Sequence, residues 1–160
     1  VPAGGDIILA EHVTYPPPQQ MLDGTNQAGI NSATAATGSP VCGVSFVAPP
    51  SGRVGVHLLA NVQITAGTAT PGAQVGVIVR TSATLGGGTV VSNGMTEDPG
   101  VSTTWVGGTP AFGGKQGASL MLAGLTPGAS YNAVVYHQTY GGTGTTFTIY
   151  NRAVRVEPLP

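Results

Sequence analysis

The stretch Arg53–Val54–Gly55–Val56–His57–Leu58–Leu59–Ala60–Asn61–Val62–Gln63–Ile64 carries an apolar side chain at every even position over twelve residues. Successive side chains of a strand point to opposite faces, so a period of two describes a strand with one buried face. Just upstream, Pro49–Pro50–Ser51–Gly52 supplies turn chemistry and closes a shorter apolar run, Val41–Ala48.

The same pattern continues toward the C-terminus. Strands are expected at Gln74–Thr81, Thr89–Ser92, Val101–Val106, Ala118–Leu125, Ser130–Tyr140 and Thr145–Glu157. Turn residues separate them, among them Pro71–Gly72, Gly86–Gly87–Gly88, Asp98–Pro99–Gly100, Thr126–Pro127–Gly128 and Gly141–Gly142–Thr143–Gly144. In the last strand Phe147 and Ile149 share one parity while Val154 and Val156 share the other, which predicts a bulge near Tyr150–Arg152. Eight such strands with no helical periodicity predict an all-β antiparallel sandwich or barrel. Ser130–Tyr140 is apolar on both parities. Its second face is therefore expected at a subunit interface, with Tyr131, Val135, Tyr136 and His137 as the candidate residues.

Residues 1–40 read differently. Pro16, Pro17 and Pro18 favour an extended path and exclude a helix or a central strand. Ala28–Pro40 has little to bury. This is read as an extended N-terminal arm (1–40) preceding the sandwich domain (41–160), ordered by a neighbouring subunit or partner. Its anchoring candidates are Ile7, Ile8, Leu9, Val13, Tyr15 and Met21.

Charge is scarce: 7% of the 160 residues are Asp, Glu, Lys or Arg, and the net charge is −1. A typical soluble domain carries about 25%. Few ions need desolvating when such a surface is covered, so the composition points to a subunit of an assembly. The same balance offers no field for nucleic acid or anionic lipid. No apolar run reaches the ~20 residues that span a bilayer, and no basic leader precedes Ile7–Ala10. Cys42 stands alone, which excludes an intrachain disulfide and leaves a small buried hydrophobe as its reading.

Catalytic constellations are sparse. No nucleophile elbow, P-loop or zinc-protease motif is present. His12, His57 and His137 are far apart in sequence, although His57 and His137 could meet across a sheet or a symmetry axis. Glu97 and Asp98, as neighbours, would face opposite ways in a strand and fit an exposed turn better than an acid/base pair. No enzymatic activity, cofactor or metal is expected. Trp105, next to Gly107–Gly108, is the candidate glycan contact, as a stacking platform on a loop.

The phrases Cys42–Gly43–Val44–Ser45–Phe46–Val47–Ala48–Pro49–Pro50–Ser51–Gly52–Arg53–Val54 and Gly124–Leu125–Thr126–Pro127–Gly128–Ala129–Ser130–Tyr131–Asn132 resemble small structural proteins of tailed phages infecting actinobacteria. The closing Ala153–Val154–Arg155–Val156–Glu157–Pro158–Leu159–Pro160 belongs to the same resemblance, which covers roughly residues 41–160. It implies a virion protein, made in the bacterial host cytoplasm and placed on the particle surface. The expected role is a capsid decoration or head-fibre protein, with a minor tail protein or a receptor- or glycan-binding tail module as the alternative. It also implies an eight-stranded jelly roll similar to those of the C1q and tumour-necrosis-factor type, which pack as homotrimers. The partners so implied are further copies of the chain and a major capsid or tail protein of the phage.

Overall fold

The computed structural model describes residues 15–68, 70–96, 100–106 and 113–160. They form ten strands and no helix, hence no helix long and apolar enough to cross a membrane. The strands are β1 (Gln19–Asp23), β2 (Gln27–Ile30), β3 (Gly43–Val47), β4 (Val54–Thr68), β5 (Gly72–Thr81), β6 (Val90–Asn93), β7 (Ser102–Val106), β8 (Gly113–Leu122), β9 (Ser130–Tyr140) and β10 (Thr143–Pro158).

Two antiparallel sheets face each other as a sandwich. One runs β1-β10-β4-β8, with β2 also on β10; the other runs β3-β9-β5-β6, with β7 also on β5. The pairing is nested. β1 and β2 join β10, β3 joins β9, β4 joins β8, and β5 joins β6 and β7. This is a long ribbon folded back at residues 82–89 and then rolled, so that β10 also meets β4 and β9 also meets β5.

All eight expected strands are present, but the count of eight is corrected to ten. The two additions lie inside residues 1–40 and pair with β10 of their own chain. At sixteen residues β10 has room for two short partners in succession, β1 opposite 152–156 and β2 opposite 147–149.

The twelve-residue alternation sets the phase of the core. Val54, Val56, Leu58, Ala60, Val62 and Ile64 all point inward from β4 and are buried. They meet Val75, Val77 and Val79 of β5, Ala133 and Val135 of β9, and Phe147, Ile149, Val154 and Val156 of β10 in one cluster. Burying each of the larger aliphatic side chains is worth about 1.5–3 kcal/mol. The bulge falls where parity requires it: Ile149 faces Val62 and Asn151 faces Asn61, leaving Tyr150 as the extra residue. Its hydroxyl takes up Gln63 Oε1 at 2.5 Å.

The sandwich is closed along both sides by polar or sulfur contacts. On one side the Gly43 amide donates to Met21 Sδ at 3.3 Å, joining β3 to β1. On the other the Trp105 indole donates to the Gly114 carbonyl at 3.1 Å, and the Thr103 hydroxyl bonds the Gln116 side chain.

Candidate interaction surfaces

The residues proposed for a subunit interface on β9 do not come to the surface together. Tyr131, Val135 and His137 face the interior of the sandwich and are buried, which corrects that expectation. Only Tyr136 lies on the outer side, half-buried. The reason is local. β9 is an inner strand between β3 and β5, and part of its second face is covered by the chain's own β5–β6 connection. Asn132, with no exposed surface, holds that connection down. Its side-chain oxygen accepts from the Gly86 amide at 3.0 Å, and its amide donates to the Ser82 and Gly87 carbonyls at 3.0 and 3.2 Å. Asn132→Ala removes all three bonds and is expected to cost about 2 kcal/mol. Thermal unfolding measures the loss, and faster amide exchange confined to 82–88 shows where it acts.

Trp105 is 1% exposed in the core, so it presents no face to a sugar; its reading as a loop platform is corrected. An inward position on β7 and an acceptor at Gly114 account for the burial, since an indole N–H inside a core needs a partner. Of the arm candidates, Met21 packs against the core of its own chain and Tyr15 is partly exposed beside Pro16. Ile7, Ile8, Leu9 and Val13 lie outside the described residues, as do His12, Glu97 and Asp98. Cys42 is buried, and burial pushes its thiol up to about 11, leaving it uncharged.

His57 and His137 do not meet. His57 stands on the outer face of the β4 sheet, where Nδ1 lies 2.8 Å from Ser119 Oγ and Nε2 lies 3.0 Å from Glu157 Oε1. Arg155 Nη2 pairs with Glu157 Oε2 at 2.9 Å. The line has the membership of a hydrolytic triad, but it lies flat on an open sheet face with His57 38% exposed. A Cβ at Gly55 would come within 3.1 Å of His57 Nε2, so glycine there leaves the pair room. Among the described residues no group of three His, Cys, Asp or Glu side chains is arranged to hold a metal ion.

The second charged cluster is internal, and sequence reasoning missed it. Arg152, with no exposed surface, donates through Nε and Nη2 to Asp23 Oδ2 at 2.9 and 2.6 Å, and through Nη2 to the Pro40 carbonyl at 2.5 Å. His137 is buried within electrostatic reach of Arg152, edge-on to Phe147 with ring centres 6.2 Å apart. The signal was available: after the predicted bulge, Arg152 shares inward parity with Val154 and Val156, and an inward cation requires a buried anion.

The remaining features are surfaces. Pro16 and Pro17 cross one end of the sandwich above an apolar cavity of about 230 Å³ whose walls include Phe46, Val47, Val54 and Val156. On the outer face of the β4 sheet, Leu22, Ala153, Leu59 and Gly117 stand in register as one row. Leu22 is 72% exposed there and Met121, four residues further along β8, is 56% exposed.

No family profile matches this chain, and no curated protein matches it. Solved structures offer distant likenesses. The VP2 subviral particle of infectious bursal disease virus is 11% identical over 98% of this chain, with a TM-score of 0.48. This chain spans only 37% of that protein's length. The xylan-binding module CBM15 is 9% identical over 91% of this chain and 94% of its own, with a TM-score of 0.37. The enzymatically active domain of bacteriophage CBA120 tailspike protein 4 is 11% identical over 89% of this chain and 20% of its own, with a TM-score of 0.31. None of these likenesses carries an argument about what the chain does.

Proposed function

We propose that this chain is a structural subunit of a phage virion, a jelly-roll protein of the capsid-decoration or head-fibre kind that associates with copies of itself on the particle surface. The observation that carries the reading is a surface with little charge and large exposed apolar side chains. Leu22, Met121, Val106, Val47 and Tyr140 are each close to half exposed or more, in a chain only 7% charged. An isolated soluble domain stays dispersed by interspersed charge; this one has the surface of a molecule meant to be covered. The nested strand order supports a jelly roll, and the phrases at 42–54 and 124–132 suggest the phage particle. Burial of Trp105 weighs against the glycan-binding alternative, because it withdraws the aromatic platform that reading needs.

In this reading the anchor is shorter than the whole arm. β1 and β2 are strands of the sandwich itself, which supports assigning attachment to a capsid or tail protein to the residues before Gln19. An electron-microscopy map of the intact particle is expected to show this density on the head surface. Chain lacking residues 1–14 is expected to fold normally and to fail to rebind stripped particles by co-sedimentation. Stoichiometric rebinding of that variant overturns the anchoring role, and absence of the density from the particle overturns the assignment.

A further inference from the structure

Sheet edges present unpaired N–H and C=O groups, and proteins that remain monomeric blunt them with short strands, breaks, prolines or inward charges. Three of the four edges here are blunted in this way. The edge beside β10 is broken into β1 and β2, five and four residues long, and is preceded by Pro16–Pro18. The edge at β3 is five residues long and followed by Pro49–Pro50. The edge beyond β5 is split between β6 and β7.

The fourth edge, β8, is different. It runs ten residues against β4 in unbroken register from Gly113 opposite Gln63 to Leu122 opposite Val54, without proline or bulge. Among the described residues it pairs with nothing on its other side. The side-chain hydrogen bonds from the facing sheet, Trp105 to Gly114 and Thr103 to Gln116, fall on its first half. Ala118, Leu120 and Leu122 face inward with the core, yet remain only partly buried.

The geometry points to a second copy of this chain as the occupant of that edge, its own β8 added antiparallel about a two-fold axis at Leu120. The strand is self-complementary in that register. Leu120 meets Leu120 of the other copy, Ala118 meets its Leu122, and on the outer face Ser119 meets its Met121. The half-covered apolar row is completed by its own image. Lys115, the one charged residue of the strand, lies beyond the paired stretch, so no like charges are brought together. Main-chain bonds then join the two sheets into one continuous path, β1-β10-β4-β8 followed by β8-β4-β10-β1. This contact goes beyond the virion reading and stands apart from it: a chain with no affinity for any particle would still pair through this edge.

Two variants of the full chain test it, with sedimentation velocity as the readout of mass. Leu120→Cys is expected to cross-link to itself under mild oxidation or with a short bis-maleimide, whereas Ser119→Cys, displaced from the axis, cross-links poorly. Leu120→Lys places two cations against each other and is expected to weaken the dimer at least about a hundredfold. Its circular dichroism and melting should stay close to wild type, since the long side chain can reach solvent from an edge strand. The proposal is overturned if wild type sediments as a monomer at the highest concentration reached. It is equally overturned if Leu120→Cys cross-links no better than Ser119→Cys. A dimer that survives Leu120→Lys but disappears on removal of residues 1–14 overturns it as well, and assigns the contact to the arm.

Discussion

Asp23→Ala is expected to lower the free energy of unfolding by about 3–5 kcal/mol, the cost of leaving a buried charge without its partner. Arg152 cannot follow its lost anion into water, because it projects from the inward parity of β10 between the two sheets with no exposed surface. Once the carboxylate is gone, the guanidinium keeps, among the described residues, only its bond to the Pro40 carbonyl. The Asp23 carboxyl is itself poised for this role. Burial alone would raise its pKa, but bonds from the Thr25 amide and from Arg152 outweigh that and hold it below the ordinary value. Asp23→Asn keeps an acceptor in place and should cost less than Asp23→Ala. Replacing both partners, as Asp23→Ala with Arg152→Met, should recover much of the single-variant loss, since no buried charge then remains. Urea titration of the four proteins gives the energies. Amide exchange of 19–23 should rise most in Asp23→Ala, because the ion pair fastens β1 to β10. A single-variant loss below about 1 kcal/mol would mean that the guanidinium finds solvent, contrary to its burial.

That pair also explains which parts of the fold could be read from the sequence. β4 was legible because period-two patterning fixes the face of every residue. β9 was legible as a strand but not by face, because it is apolar on both parities. The bulge at Tyr150 was legible because the parity of β10 changes across it. β1 and β2 were not. They are short edge strands with one core-facing hydrophobe each, Met21 and Ile30, and one core-facing anion, Asp23, so no hydrophobic pattern marks them. The second face of β9 misled for a related reason. Its cover is a polar hinge, Asn132, holding a glycine-rich connection through backbone groups, and side-chain hydropathy carries no trace of such a lid. Trp105 was misplaced because proximity to glycines in sequence says nothing of the Gly114 carbonyl that receives its indole.

Acidification from pH 7 to pH 4 is expected to destabilise the protein by about 3 kcal/mol through His137 alone. The ring points inward from β9, 5% exposed, edge-on to Phe147, and Nδ1 has no hydrogen-bond partner among the described residues. Burial, and secondarily the Arg152 cation, pull its pKa from 6.5 down to about 4. The direction follows from proton counting. Between those two values the unfolded chain binds a proton that the folded chain refuses, so falling pH favours unfolding. The stability is whole above pH 6.5, declines through the interval and levels off below about 4; each pH unit within it is worth about 1.4 kcal/mol. Asp23 acts at lower pH, its contribution being lost as pH falls below the ordinary carboxylate range toward its depressed folded value. Cys42, with a thiol raised to about 11, stays neutral throughout. Melting temperatures of wild type and His137→Phe, measured at intervals from pH 7.5 to pH 4, separate the groups. Wild type should lose stability steadily below pH 6.5 while the variant stays flat until the carboxylates titrate. Equal slopes in the two proteins would show that His137 takes up its proton without unfolding, and would place water against Nδ1.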